Sequence, residues 1–333
     1  MIIREVARPT FFDLFGLTSS KSAGQILGNI ELVGSGKGAL ALILKYLTQQ
    51  GILKNKTDEI LVPDWLGYWV YNQMQPFAFP AKRWSERTKA IFVYHQYGFP
   101  QDMEKIMTFA KEKNLVVIED CAHAVASQYK GQPLGSFGDF AIFSFSKWFF
   151  CFALGGIKSR SAEFISYVRE ETARTPFGLT AFKDLTKYWA ESQVFGRYAN
   201  LFLKMSYAIY GDALKASSFA RRLLIGKLDQ EVAVRQRRYQ YFIQATEHLD
   251  ICDHLEKEHV TPYVIPIRLP PGKEERVVRA LLEKGIESGI YQFDLNRNLL
   301  EPKFVPTVWI PCHSGISDKT FELITETVSK SYA

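Results

Sequence analysis

Two short apolar runs that end in polar chemistry constrain this chain more than anything else in it. Leu115-Val116-Val117-Ile118 is continuous and apolar, the pattern of a strand buried on both faces, and Glu119 and Asp120 follow directly. Phe140-Ala141-Ile142-Phe143-Ser144-Phe145 is a second such run and leads into Ser146-Lys147. Open α/β sheets keep their ligands outside the carboxyl ends of the strands, so Asp120 and Lys147 are expected at one edge of one sheet. An acid after a buried strand is often only a cap or a surface residue. Lys147 is less ordinary. From Phe140 to Ile157 the chain is apolar and aromatic with that lysine near the middle, and burial lowers a lysine's pKa and makes its amine nucleophilic. The stretch approaches a membrane span in length, but a central lysine costs about 3 kcal/mol on insertion scales. Two serines and Gly155-Gly156 weaken that reading further. An acid and a lysine so placed suit the two ends of a pyridoxal phosphate ring. The lysine forms a Schiff base with the aldehyde, and the acid keeps the pyridine nitrogen protonated.

The surroundings fit such a sheet. Up to about residue 160, short apolar runs alternate with helical patterns, which predicts a mainly parallel sheet. Ala90 to Tyr94 reads as a strand, and Pro100-Gln101-Asp102 opens a helix carrying Met103, Ile106, Met107, Phe109 and Ala110. Closed by Leu115 to Ile118, this is a βαβ unit. Gly34-Ser35-Gly36-Lys37-Gly38 opens another helix, and glycines there let backbone N–H groups approach a phosphate. The loop is not a Walker A motif, which needs Gly at Glu31 and Ser or Thr at Gly38. Nor is it a dinucleotide fingerprint, since no second strand ending in an acid follows. Glu59 to Val62 is a strand, followed by Pro63-Asp64-Trp65-Leu66-Gly67-Tyr68-Trp69. These aromatics either stack on a flat cofactor or pack the first turn of a helix; both readings stay open.

From Ser161 to about Lys227 the pattern is helical, and a long helix is expected from Gln230 to Leu249. Tyr263 to Arg268 reads as a strand, Glu274 to Lys284 as a helix stopped by Gly285, and Asp318 begins a terminal helix. The expected division is a large domain, residues 1–228, and a smaller C-terminal α+β domain, residues 229–333. At 333 residues and 47% hydrophobic, the chain can bury one large core or two. The net charge of +6 is modest, and its clusters, Arg221-Arg222 and Arg235-Gln236-Arg237-Arg238, read as solvated helix faces, not a nucleic-acid surface. Cys121, Cys151, Cys252 and Cys312 have no metal-ligand spacing, so structural thiols, a reducing compartment and no metal are expected. The N-terminus lacks the apolar core of a signal peptide, so the cytoplasm is the expected location.

Taken in order, these stretches resemble the DegT/StrS family of pyridoxal-phosphate sugar aminotransferases. Ser35-Gly36-Lys37-Gly38-Ala39-Leu40 resembles its phosphate loop. Thr88-Lys89-Ala90-Ile91 and His95-Gln96-Tyr97-Gly98 resemble T-K-A-I and H-x-Y-G. Val117-Ile118-Glu119-Asp120-Cys121-Ala122-His123-Ala124 resembles V-I-E-D-x-A-Q/H-A, and Gly135-Ser136-Phe137-Gly138-Asp139 resembles G-S-F-G-D. Lys147 stands eight residues before Gly155-Gly156, much as the family's Schiff-base lysine does, and Ile310 to Ser317 resembles L-P-x-H-x-G-L-S.

The resemblance implies the fold-type-I aminotransferase fold, with pyridoxal 5'-phosphate as cofactor. By position, Asp120 would pair with the pyridine nitrogen and His123 would lie beside the ring and its phenolic oxygen. Gly36, Lys37 and Ser144 would contact the phosphate, and Trp65 or Tyr68 would stack on the ring. Lys147 would be the catalytic lysine. The family's dehydratase branch carries histidine there, so a lysine favours transamination. An amino donor such as glutamate, a carbonyl acceptor such as a nucleotide-linked keto-sugar, and a homodimer are implied too. Four departures stand out: Ser144 to Lys147 is two residues shorter than usual, Lys37 replaces a common threonine, Leu154 replaces an acid, and a helix after Trp84 is omitted. They keep two alternatives open, a non-catalytic binding or scaffolding relative and an enzyme acting on a non-sugar carbonyl.

Overall fold

The computed structural model describes residues 2–15, 24–192 and 194–332. A short helix α1 (Gly24–Leu27) precedes β1 (Glu31–Val33) and α2 (Gly36–Gln49), which Ser35 caps by accepting the Gly38 N–H. Next come β2 (Glu59–Leu61), α3 (Tyr68–Met74) and β3 (Phe79–Ala81). The expected βαβ unit is β4 (Thr88–Tyr94), α4 (Met103–Glu112) and β5 (Val116–Asp120), with Asp102 capping α4 through the Lys105 N–H. A small hairpin, β6 (Gln128–Tyr129) and β7 (Gln132–Pro133), separates β5 from β8 (Phe140–Ser144) and β9 (Gly155–Ser159).

The large sheet has the order β1-β9-β8-β5-β4-β2-β3. Six of its strands, β1, β2, β3, β4, β5 and β8, run in one direction, and β9, between β8 and β1, is antiparallel to both. Parallel strands put their carboxyl ends on one edge, so His95, Asp120 and Ser144 emerge together there. Helix α2 packs across β8 and β9, and its N-terminal loop approaches Gly155 so closely that a Cβ there would lie 2.2 Å from the Ser35 carbonyl carbon. Glycine at that strand position lets the loop meet the sheet edge.

Helices α5 (Ala162–Ala173), α6 (Phe177–Ser192) and α7 (Ala199–Ala208) follow, then the long α8 (Ser218–Thr246). The helix expected from Gln230 begins earlier, because Ser217 caps it through the Ala220 N–H and Leu223, Leu224 and Leu228 extend its apolar face upstream. Along α8 the packing partner changes. Ala220 to Val232 joins the core around Phe143, Trp148 and Phe150, whereas Tyr239, Phe242 and Ile243 join a separate C-terminal core. The expected boundary at 228/229 lies within this helix.

One expectation fails here. Arg235 and Arg238 are buried, not solvated, because backbone carbonyls receive both guanidiniums; Arg237, Arg221 and Arg222 are exposed as expected. The C-terminal part is an antiparallel sheet of β10 (Val264–Ile267), β11 (Ile290–Asp294) and β12 (Phe304–Pro311), with β12 central. Helices α9 (Glu274–Glu283) and α10 (Asp318–Tyr332) contact each other beside it. Strands β11 and β12 lack the clean apolar pattern that marked β10. Among the described residues no helix is long and apolar enough to cross a membrane.

Candidate active site

The site begins with a brace. Glu119 is fully buried, and its two oxygens accept four donors: Phe137 N–H (2.8 Å) and Gly138 N–H (2.7 Å) at Oε1, Gly135 N–H (2.9 Å) and His95 Nε2 (3.2 Å) at Oε2. The Gln101 N–H donates to His95 Nδ1, which leaves Nε2 as the protonated nitrogen. Burial alone raises the Glu119 pKa. The His95 bond, with the Gly138 and Gly135 N–H groups, more than offsets it and holds it below the usual carboxylate range. His95, Glu119 and Cys121 lie close enough to hold a metal, but these bonds already occupy the carboxylate and both imidazole nitrogens. The brace ties the loop 135–138 to the strand that ends in Asp120.

Asp120 is 4% exposed and accepts the Ala122 N–H at 2.9 Å. Burial raises its pKa, against the Lys147 charge and that N–H, which lower it. Lys147 follows β8 on a single turn from Phe145, and the chain beyond it, Trp148 to Leu154, is buried. Its side chain is exposed within a cavity. The walls still desolvate the amine and lower its pKa, while Asp120 and Glu5 raise it and Lys187 lowers it further. Lys147 Nζ lies 2.9 Å from His123 Nε2, and His123 Nδ1 lies 2.7 Å from the Tyr94 hydroxyl. The imidazole stacks on Tyr263 at 4.1 Å between centroids, and Tyr97 lies parallel to it at 5.8 Å. Burial, then the Lys147 and Arg235 charges, push the His123 pKa well below its ordinary value. A neutral His123 can meet either form of Lys147 by changing which ring nitrogen carries its hydrogen. Gly98 makes this packing possible: at φ +96° it sits 2.9 Å (by its absent Cβ) from the His123 carbonyl oxygen.

Asp120, His123, Lys147 and Trp65 all line one cavity of about 670 Å³. Its other walls come from the N-terminal segment Arg4 to Arg8, from α6 and α7, and from Tyr291, Gln292 and Trp309 of the C-terminal sheet. Gly36, Lys37, Ser144 and Tyr68 are not part of the lining. Gly36 abuts Ser144, whose Cβ would be 2.9 Å from an added Cβ. Trp65 (54% exposed) precedes α3 with its edge toward Phe304 at 6.4 Å, and Tyr68 (70% exposed) starts α3 against Trp69. Neither ring is packed as a buried first turn. Lys37 lies beneath α7: its Nζ is 3.5 Å from the Tyr207 ring centroid and 4.4 Å from that of Trp69. That Nζ is buried without a hydrogen-bond partner. Burial, then Lys187 and Lys147, lower its pKa to about 7.

Sequence reasoning did not single out Tyr94, Tyr263 or the α6–α7 wall. Tyr94 ends a strand already recognised, so its place at the carboxyl edge was available in principle. Tyr263 precedes a different strand far along the chain, and no local pattern joins it to His123.

The profile of the DegT/DnrJ/EryC1/StrS aminotransferase family matches residues 81–299. GDP-perosamine synthase of Escherichia coli O157:H7 is 56% identical over 61 residues, which is 18% of this chain and 17% of that protein. The chain thus matches less than a fifth of that curated relative's length. Among solved structures, the aminotransferase PseC of Helicobacter pylori, involved in pseudoaminic acid biosynthesis, superposes with a TM-score of 0.67 at 15% identity, over 98% of this chain and 92% of that one. The PLP form of Spr1654 from Streptococcus pneumoniae gives 0.62 at 16%, over 97% and 96%. These likenesses establish the fold-type-I aminotransferase fold. With the profile spanning most of the chain and the motif residues gathered at one sheet edge, this protein belongs to the DegT/DnrJ/EryC1/StrS aminotransferase family.

Proposed function

We propose that the chain is a pyridoxal-phosphate-dependent aminotransferase that moves an amino group, from glutamate, onto a nucleotide-linked keto-sugar. The observation that carries the reading is Lys147 Nζ, placed in the cavity beside buried Asp120 and held by His123. The residues present fit the cofactor. The Lys37 amine beside the α2 N-terminus has ring contacts but no hydrogen-bond acceptor, which a phosphate would supply. Gly36, Lys37 and Ser144 would hold the phosphate, Asp120 the pyridine nitrogen, His123 and Trp65 or Tyr68 the ring, and Lys147 the aldehyde. When bound, the cofactor supplies a carbonyl and an electron-withdrawing ring.

The chain's own groups do the rest. Lys147, with its pKa lowered from the ordinary lysine value, takes up and returns a proton at Nζ. His123 Nε2 fixes where that amine points, and Tyr94 fixes His123. Asp120 holds a negative charge where water is largely excluded, so its pull on a ring-nitrogen proton is only weakly screened. The names of the relatives, which include a GDP-perosamine synthase and a dTDP-amino-sugar transaminase, support a sugar acceptor.

The purified protein, loaded with the cofactor, is expected to be yellow, and borohydride is expected to fix the cofactor on the Lys147 peptide. Glutamate alone should then bleach the visible band as the amino group transfers. A protein that stays colourless would sink the reading. A yellow protein unmoved by every amino donor would be a binding relative, and transfer only to small ketones would remove the sugar.

We also propose that the working unit is a two-fold homodimer. Phe177, Phe195, Tyr198 and Leu201 on and around α6 and α7 are exposed, and a second copy would cover such apolar surface. Light scattering over a dilution series is expected to give twice the chain mass; a monomer with full cofactor occupancy and turnover would refute it.

A further inference from the structure

Arg235 lies on α8, is fully buried, and touches neither the cavity nor solvent. Its Nε donates to Glu231 at 2.5 Å, its Nη2 to the Trp148 carbonyl at 3.0 Å, and its Nη1 to the Tyr263 and Pro262 carbonyls. Its plane also lies over the Trp148 ring at 4.9 Å and near Tyr263 at 5.6 Å. Trp148 is the residue after Lys147. Its indole N–H donates to the Ala122 carbonyl at 3.1 Å, next to His123, and Tyr263 is the ring on which His123 stacks. One guanidinium therefore holds the backbone on both sides of the Lys147–His123 contact. It does so from the stretch of α8 where the packing passes from the first core to the C-terminal one.

We propose that Arg235 is a positioning residue that sets the Lys147 Nζ to His123 Nε2 contact by clamping the Trp148 and Tyr263 carbonyls. Guanidinium is suited to this, because a planar fork with five donors fixes several carbonyls at once, which an ammonium on a flexible stem does not. Glu231 neutralises the charge and accepts the Ser314 N–H at 3.2 Å, tying the clamp to the C-terminal motif. The inference rests on Lys147 being the working amine, but its test does not require transamination.

The groups that face the pair are few. Lys147 faces His123, Asp120, Glu5 and Lys187 and feels the Lys37 charge; His123 faces Lys147, Tyr94, Tyr97, Tyr263 and the more distant Arg235 charge. Loosening the clamp lets the amine leave its place against His123 and returns its pKa toward the ordinary lysine value.

The test is acetylation of Lys147 by acetic anhydride in the full chain, followed from about pH 7 to about pH 11 by peptide mass spectrometry. Arg235→Lys keeps the charge and loses the fork. Arg235→Met with Glu231→Met removes the pair together, so no unpaired charge stays buried if the single change fails to fold. Arg238→Met is the control: Arg238 is also buried on the same helix, but its bonds go to the His313 and Ile316 carbonyls and to Asp318. In both Arg235 variants the Lys147 midpoint is expected to rise by about one pH unit, a tenfold loss of free amine below it, with the larger change in the double variant. Arg238→Met is expected to lower thermal stability and leave the midpoint in place. A midpoint unmoved in the Arg235 variants would overturn the proposal, as would an equal shift in Arg238→Met. With the cofactor bound, kcat should fall about tenfold at unchanged KM in Arg235→Lys. A parent chain with no transfer activity would refute the proposed function and leave the acetylation result standing.

Discussion

Replacing Lys147 by alanine is expected to abolish amino-group transfer, with kcat at least about 10³-fold below the parent chain. Positioned proton transfer alone contributes about 10²–10⁴-fold, and this amine also makes and releases the bond to the cofactor. Stability should change little, because the side chain projects into a cavity and packs against little. Single-turnover measurement with glutamate separates the lost chemistry from lost binding, since Asp120, Lys37 and the α2 loop remain. Two other lysines, Lys37 and Lys187, interact electrostatically with Lys147, so retained transfer would reassign the reactive amine to one of them. The parent profile has a defined sign. A lysine whose pKa is lowered supplies free amine from below the ordinary 10.5, so the rate should rise with pH and level off short of that value.

Much of the carboxyl edge was legible because its residues sit in short local patterns. A buried strand followed by Glu119-Asp120, a second ending in Ser144, and a glycine loop capped by Ser35 each declare themselves within about eight residues. Parallel topology then brings their ends together without further information. The rest depends on contacts that join distant segments. Arg235 reads as one charge in a basic run, yet it is buried because Trp148 and Tyr263, far away in sequence, offer carbonyls at the right height on α8. Lys37 carried a phosphate reading from its place in the loop, but nothing nearby announces the Tyr207 and Trp69 rings that enclose it. Lys147 itself was read as lying in a buried stretch. Its neighbours are buried, and its own side chain escapes into the cavity because the tight turn at Phe145 to Lys147 points it there.

Replacing Glu119 by alanine is expected to cost about 3–5 kcal/mol of folding stability, the range for removing one partner of a buried, hydrogen-bonded charge network. Four donors lose their acceptor at once: three backbone N–H groups of the loop 135–138 and His95 Nε2. Gly135 and His95 are buried, and buried donors left unsatisfied cost about 1–3 kcal/mol each before the loop relaxes. Glu119→Gln should cost less but still destabilise, because its amide brings hydrogens to an oxygen position that already receives two. The parent's acid response follows from the same bonds. The folded pKa of Glu119 lies below the ordinary 4.5, so its contribution is complete above the unfolded value and is lost as pH falls through the folded one. Glu119→Ala should therefore flatten the acid limb of stability against pH as well as lower the neutral plateau, measured by urea unfolding at each pH. A loss under about 1 kcal/mol would class Glu119 with ordinary surface changes and refute the brace. If the loss is as large as expected, then Glu119 and not Asp120 carries the stability of this motif. Asp120, whose pKa is raised where that of Glu119 is lowered, then costs the fold something to keep, and that cost is the mark of a residue retained for the site.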